Sequence, residues 1–138
     1  MRKLCLDIGE RRIGVALSDP MNIIATGVKT IDLKKEDLFK EIDELFKKFE
    51  IDQVIIGYPF NKTNIDIKNK RQLVIDDIAL KISELYNVKV VKWDERFSTK
   101  AVERVLIEDS QKWQKRKDVV DKLAAQYILQ GYLDSINK

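Results

Sequence analysis

Short strand-like apolar runs and stretches of helical periodicity follow one another along this chain in an order that restricts its fold more than any other feature. Two apolar runs on either side of Gly9 predict a β-hairpin, and a third strand is expected over residues 23–31. Beyond that point strands alternate with helices, and the apolar runs within 53–57 and 88–93 are typical of buried parallel strands. The sequence therefore predicts an α/β fold, with a three-stranded meander followed by right-handed crossovers.

The spacing of apolar residues predicts four helices. Leu38, Ile42 and Leu45 share one helical face, and Asp32 is a candidate N-cap for this first helix. The apolar stripe of a second helix is expected at Val74, Ile78, Ile82 and Leu85, a third helix around 101–106, and a fourth over 120–133. The polar segments 61–70 and 109–117 are expected to be loops beside strand or helix ends, where sites commonly lie.

Composition and size indicate one folded domain over residues 1–138. Hydrophobic residues make up 44% of the chain and charged residues 36%, which excludes disordered and low-complexity classes. Cys5 is the only cysteine, and its place in an apolar run predicts a buried thiol rather than a disulfide or a nucleophile. The sequence has no stretch typical of a signal peptide or a membrane span, so we expect a cytoplasmic protein without membrane contact.

The chain contains no histidine, so acid–base chemistry near neutral pH needs another agent. Carboxylates that hold a divalent metal, whose bound water is the nucleophile, are the simplest replacement. Asp7 and the pair Asp94 and Glu95 each follow an apolar run, at strand ends where ligands collect in parallel sheets. Because strand alternation directs Asp94 and Glu95 to opposite faces, we expect Glu95 as the direct ligand and Asp94 in support. Alternatively, Asp7 is a turn residue, and Asp94 or Ser98 caps the next helix.

Asp121 is the third candidate, because Ala124, Ala125 and Ile128 follow it at helical spacing and place it at the edge of an apolar face. The small alanines would let the helix approach the sheet and bring this carboxylate toward the others. Alternatively, Asp118 is the N-cap and Asp121 only favours the positive end of the helix dipole. Three converging carboxylates repel one another, so we expect bound Mg²⁺ or Mn²⁺, as two ions for phosphodiester hydrolysis.

Four segments spread from residue 7 to residue 130 carry a family resemblance. They are Asp-Ile-Gly-Glu-Arg-Arg-Ile-Gly-Val-Ala-Leu-Ser-Asp-Pro at 7–20, Gly-Tyr-Pro at 57–59, Asp-Glu-Arg-Phe-Ser-Thr at 94–99, and Lys-Arg-Lys at 115–117 with Val-Asp-Lys-Leu-Ala-Ala at 120–125 and Ile-Leu-Gln at 128–130. In this order they resemble the YqgF family, also called RuvX, a group of Holliday-junction resolvases and pre-16S rRNA nucleases. The resemblance covers nearly the whole chain, and four motifs in register are specific.

The resemblance implies a ribonuclease H-like fold with sheet order 3-2-1-4-5, flanked by helices. It also implies a divalent-metal nuclease acting on structured nucleic acid, most simply at the 5′ end of pre-16S rRNA in ribosome biogenesis. The family's catalytic and metal-binding acids fall on Asp7, Glu95 beside Asp94, and Asp121, the residues already reached from their placement. The alternative activity is Holliday-junction resolution in DNA recombination and repair.

Basic residues would frame such an acidic site. The net charge is +3, and the excess of basic groups lies after residue 86. The candidates for contact with nucleic-acid phosphates are Arg11, Arg12, Lys112, Lys115, Arg116 and Lys117, with Arg96 in support. Phosphate contacts do not read sequence, so RNA and branched DNA both stay open as partners. The oligomeric state, monomer or homodimer, also stays open. For the cluster after residue 111 the alternative is a solvated charge run.

Two functions of other classes also stay open. One is a non-catalytic RNA-binding protein on the same fold. The other is an ATP-binding fragment, since residues 7–19 also resemble the first phosphate hairpin of the sugar-kinase and actin superfamily. Those enzymes close two large domains around a nucleotide, and 138 residues cannot supply both.

Overall fold

A five-stranded mixed β-sheet forms the centre of the protein. The computed structural model describes residues 1–60, 69–94 and 113–137, and for 113–120 the backbone alone. The strands are β1 (Arg2–Ile8), β2 (Arg12–Ser18), β3 (Ala25–Asp32), β4 (Ile51–Tyr58) and β5 (Lys89–Asp94). Their order across the sheet is β3-β2-β1-β4-β5, which confirms the predicted topology.

The first three strands form the predicted antiparallel meander, and β4 and β5 extend the sheet in parallel from β1. The β1–β2 turn is closed by a hydrogen bond of 2.9 Å from the Gly9 N–H to the Arg12 carbonyl. The third strand begins two residues later than predicted, because the Asp19 carboxylate accepts hydrogen bonds from the backbone of Ile23 and Ile24 and keeps both in the preceding loop.

One face of the sheet is covered by α1 (Leu38–Lys48) and α2 (Lys70–Tyr86). The N-cap of α1 is Asp37, whose side chain accepts from the Phe39 N–H, so the prediction of Asp32 is wrong. Asp32 instead accepts from the Lys34 N–H and closes the turn that precedes the helix. Both residues are aspartates before the same apolar stripe, and only the turn geometry separates them.

The helix α2 begins with a capping box, in which the Asn69 side chain accepts from the Gln72 N–H and the Gln72 side chain accepts from the Asn69 N–H. Its buried apolar residues are Ile75, Ile78, Ala79 and Ile82. The predicted stripe is therefore wrong at Val74 and Leu85, which are 47% and 64% exposed. The segment predicted as a loop ends at this cap, and its residues 61–68 lie outside the described residues, as does the helix predicted around 101–106.

The opposite face of the sheet is covered by α3 (Trp113–Ile136). This helix begins seven residues before the predicted start, so its backbone takes in residues 113–117, which were expected to be loop. Asp118 consequently lies within the helix, which excludes the alternative that it is the N-cap. Within the described part of the chain, no helix is both long and apolar enough to cross a membrane.

Candidate active site

The parallel strands β1, β4 and β5 all end at the same edge of the sheet. Leu6 pairs with Ile56, so Ile8 and Tyr58 end adjacent strands, and Tyr58 pairs with Asp94 in turn. The turn between β1 and β2 lies at this edge too; it carries Arg11, and Arg12 begins β2 directly after it. The candidate site residues of the described chain are therefore drawn to one edge, as expected for ligands in an open α/β sheet.

The Asp7 side chain lies on the α3 face of the sheet. Leu6 and Ile8 pack into the core under α1 and α2, whereas Cys5 packs under α3, and side chains alternate along a strand. The Cys5 thiol is fully buried as predicted, and its burial, with a smaller contribution from the Asp7 charge, raises its pKa. The Asp7 side chain is 17% exposed, so it lies close to this core while still reached by solvent.

Asp121 is brought over the strand beside Asp7. Gly14 is the direct partner of Asp7 across the β1–β2 pair, and a Cβ added to Gly14 would lie 1.9 Å from the backbone oxygen of Asp121. The helix backbone thus rests directly on the strand, which only a glycine permits. Because Asp121 lies eight residues after the start of α3, the dipole of the first turn no longer explains its charge.

Asp94 lies on the other face of the sheet. Trp93 packs under α3, where its ring meets Tyr132 edge-on at 5.4 Å, so the next residue of β5 alternates to the α2 side. The structure thus brings Asp7 and Asp121 to one face and places Asp94 on the opposite one. Glu95, predicted to be the third acid, lies outside the described residues, and within the described ranges no three acidic or cysteine side chains form a metal-binding group.

Arg71 joins this edge although nothing in the sequence singled it out. It lies in the first turn of α2, and its Nε and Nη2 atoms donate to the Ile8 carbonyl at 3.3 and 3.0 Å. Its Nη2 is also 3.9 Å from Oδ1 of Asp7. A contact across 63 residues leaves no periodic or motif signal, so only the fold reveals it.

The predicted phosphate-binding residues are described only in part. The Arg11 side chain is half exposed, and its Nε lies 3.4 Å from Oδ1 of Asp32, so this guanidinium is held at the hairpin end of the sheet. Arg12 begins β2 at the same end. The backbone of Lys115, Arg116 and Lys117 lies in the first turns of α3, while Arg96 and Lys112 lie outside the described residues.

Comparison with known proteins identifies the family. A model of the family described as RuvX, Holliday junction resolvase, matches residues 1–135. The chain belongs to the RuvX family. A relative from Caldicellulosiruptor saccharolyticus is 56% identical over 137 residues, with 99% of each chain covered, and one from Clostridium botulinum strain Hall is 44% identical over 140 residues, with 100% of each covered. Both are named "Putative pre-16S rRNA nuclease". This RuvX chain is accordingly a nuclease, and its substrate is nucleic acid.

Two solved structures share the fold. The Fowlpox virus resolvase, solved with its substrate Holliday junction DNA, aligns with a TM-score of 0.58 at 17% identity over 100% of both chains. RuvC of T. thermophilus, in complex with a Holliday junction substrate, aligns with a TM-score of 0.57 at 13% identity over 99% of this chain and 96% of that one. At these identities the likeness concerns the fold alone, and it confirms the predicted ribonuclease H-like class.

Proposed function

We propose that this RuvX chain is a divalent-metal-dependent nuclease that hydrolyses phosphodiester bonds in structured RNA, with the 5′ end of pre-16S rRNA as its substrate. The observation that carries the proposal is the seating of the Asp121 backbone on Gly14, the strand partner of Asp7. An aliphatic core would gain nothing from placing two carboxylate-bearing residues together at a strand end. The names of the 44% and 56% identical relatives support the RNA substrate.

The donor set fits a hard cation. Asp7, Asp121 and Glu95 would supply carboxylate oxygens only, and Mg²⁺ and Mn²⁺ prefer oxygen ligands and leave positions for substrate phosphate. The partial exposure of Asp7 leaves it accessible to an ion from solvent. Two bound ions would supply an activated water and stabilise the charge on the entering and leaving oxygens. The chain's own acids would hold that arrangement with Arg96 in support, whereas Asp94 lies on the opposite face of the sheet from Asp7 and Asp121.

Basic residues would hold the substrate backbone against this site. We assign that role to Arg11, Arg12, Lys112, Lys115, Arg116 and Lys117, whose contacts with phosphates would be independent of base sequence. Residues 1–138 would act as one nuclease domain in the cytoplasm, where the RNA precursor is found. An RNA nuclease of this kind can act as a monomer.

The substitution Asp7→Asn tests the proposal. It removes one negative charge without changing the size of the side chain, so cleavage of a pre-16S rRNA 5′ leader in Mg²⁺ should be lost. Addition of Mg²⁺ should raise the thermal midpoint of the wild type, because an ion that binds the native state stabilises that state. The midpoint of the variant should not change, because the variant has lost a metal ligand. Asp43→Asn is the matched control, since Asp43 pairs with Lys47 on α1, away from the site. Wild-type cleavage by pure Asp7→Asn protein would contradict the assignment.

A second candidate function is supported by the family description and by the two resolvase folds. A four-way DNA junction requires two cuts, so a junction resolvase would act as a homodimer. Cleavage of a junction and of the RNA leader should be measured side by side with Mg²⁺, Mn²⁺ and chelator. Cleavage of the junction alone would favour this second function, and salt-sensitive RNA binding without any cleavage would favour a non-catalytic protein.

A further inference from the structure

An exposed aromatic ring stands at the same edge of the sheet as Asp7. Phe60 follows the end of β4 by two residues and is 47% exposed. Its ring meets that of Tyr58 edge-on, with centroids 4.9 Å apart and an angle of 60° between the planes. Nearly half of this residue is open to solvent despite that contact.

The residues that support Phe60 are bound to α2 and β5. Tyr58 is only 5% exposed, its hydroxyl donates to Asp76 on α2 at 3.3 Å, and the Lys92 ammonium lies 5.0 Å from its ring centroid. The Pro59 carbonyl accepts from Nε2 of Gln72 at 2.6 Å, so the backbone next to Phe60 is also bound to α2. A ring held in this way loses little conformational entropy when a ligand stacks on it.

A guanidinium lies at the end of the neighbouring strand. Arg71 is bound to the carbonyl of Ile8, which ends β1 next to Tyr58, and adjacent strands are about 4.8 Å apart. Its side chain is 39% exposed. An arginine has five N–H donors, so Arg71 can contact a phosphate while it keeps its hydrogen bonds to the Ile8 carbonyl, and its Nη2 lies 3.9 Å from Oδ1 of Asp7, the acid that we assign to the cleavage site.

We propose that Phe60 and Arg71 bind one unpaired nucleotide next to the scissile bond, with the base stacked on Phe60 and a phosphate bound by Arg71. This inference rests on the proposed nuclease function and deepens it. A base within a continuous duplex is already stacked on both faces, whereas an unpaired base offers a face to an exposed aromatic ring. The enzyme would therefore select a single-stranded nucleotide beside the position that it cuts.

The test measures the affinity for short RNA by fluorescence anisotropy, with Ca²⁺ in place of Mg²⁺ to prevent cleavage. Each RNA is used as a single strand and as a full duplex, and 2-aminopurine in the single strand reports stacking by loss of its fluorescence. The variants are Phe60→Leu, Phe60→Trp and Arg71→Gln. Lys70→Gln and Leu80→Ala are the controls, because Lys70 is the neighbour of Arg71 and Leu80 is an apolar residue of α2 with 58% exposure.

Phe60→Leu should weaken binding of the single strand by roughly 5- to 150-fold and abolish the quenching of 2-aminopurine, and Phe60→Trp should restore both. Arg71→Gln should lower the slope of log affinity against log salt by about 0.7 on single strands, the amount expected for one lost phosphate contact. Duplex binding should stay within about twofold for the two Phe60 variants.

Two results would overturn the inference while leaving the nuclease proposal intact. One is equal binding of single strand and duplex by a wild type that cleaves in Mg²⁺. The other is an unchanged single-strand affinity in Phe60→Leu, which would show that this ring does not stack on a base. If the wild type neither binds nor cleaves any RNA or junction, both proposals fail together.

Discussion

The two faces of the sheet are built by different rules. Under α1 and α2 the core consists of large aliphatic side chains, among them Leu4, Leu6, Ile13 and Ile56. Under α3 the strands β1, β2 and β3 present small residues, among them Cys5, Ala16 and Ala25, and the helix backbone lies directly on Gly14 of β2. The face under α1 and α2 stabilises the fold by burying apolar area. The face under α3 fixes the position of that helix against β1 and β2. Asp7 and Asp121 lie on the second face, which indicates that close approach rather than core volume sets the geometry of these two acids.

The largest effect on the close packing of the α3 face is expected when a methyl group is added at Gly14. In Gly14→Ala the new Cβ would lie 1.9 Å from the Asp121 carbonyl oxygen and 2.6 Å from its carbonyl carbon, both backbone atoms of a helix. We expect a loss of stability at or above about 3 kcal/mol, because relief requires α3 to move as a unit, and we expect loss of cleavage with it.

Urea unfolding of Gly14→Ala measures this effect, with Gly131→Ala as the matched control. Gly131 lies within α3, and the closest atom to its added Cβ would be Nε1 of Trp93 at 3.6 Å, an ordinary contact. That variant should gain up to about 1 kcal/mol from helix propensity. Equal effects at both glycines would show that α3 does not rest on β2 at Gly14.

Adjacent residues of β2 sharpen the comparison, because Val15 and Ala16 are both fully buried and face opposite helices. Ala16→Val adds two methyl groups against α3 and should cost about 1–3 kcal/mol. Val15→Ile adds one methyl group among flexible aliphatic side chains and should cost less than about 1 kcal/mol. Calorimetric melting of the two variants shows which substitution costs more stability. A larger loss for Val15→Ile would mean that the α1 and α2 face tolerates an added methyl group less well than the α3 face.

The sequence contains enough to predict the sheet but not the helix ends. The meander and the parallel crossovers follow from hydrophobic runs and the handedness of connections, which are local or general rules, whereas the strand order 3-2-1-4-5 was implied by the family resemblance. Asp32 and Asp37 both precede α1 and have the same side chain, so the sequence does not show which of them caps the helix and which closes the turn before it. In α2 two apolar stripes overlap at Ile78 and Ile82, so periodicity alone cannot decide between Val74 and Ile75.

The residues of the candidate site also differ in how far the sequence predicts them. Asp7 and Asp121 were predictable, because one ends a strand and the other precedes alanines at helical spacing. Their closeness depends on Gly14, which the sequence alone presents as one more glycine of a strand. Arg71 was not predictable, since its partner Ile8 is 63 residues away and is a backbone carbonyl that any residue could provide. Long-range contacts to backbone atoms carry no side-chain pattern.

The smallest expected effect concerns the outer edge of the α3 face. Gln130 accepts from the Ala25 N–H at 2.9 Å and donates to the Ile23 carbonyl at 2.8 Å, so it ties the start of the edge strand β3 to the helix. Gln130→Ala should cost about 1 kcal/mol, since Ala25 is buried and loses its acceptor while the exposed Ile23 carbonyl can bind water instead. Hydrogen exchange at Ala25 should accelerate while exchange in β1 stays unchanged. Unaltered protection of Ala25 would mean that the α3 face needs only its close-packed centre, at Gly14 and Ala16, to hold the helix.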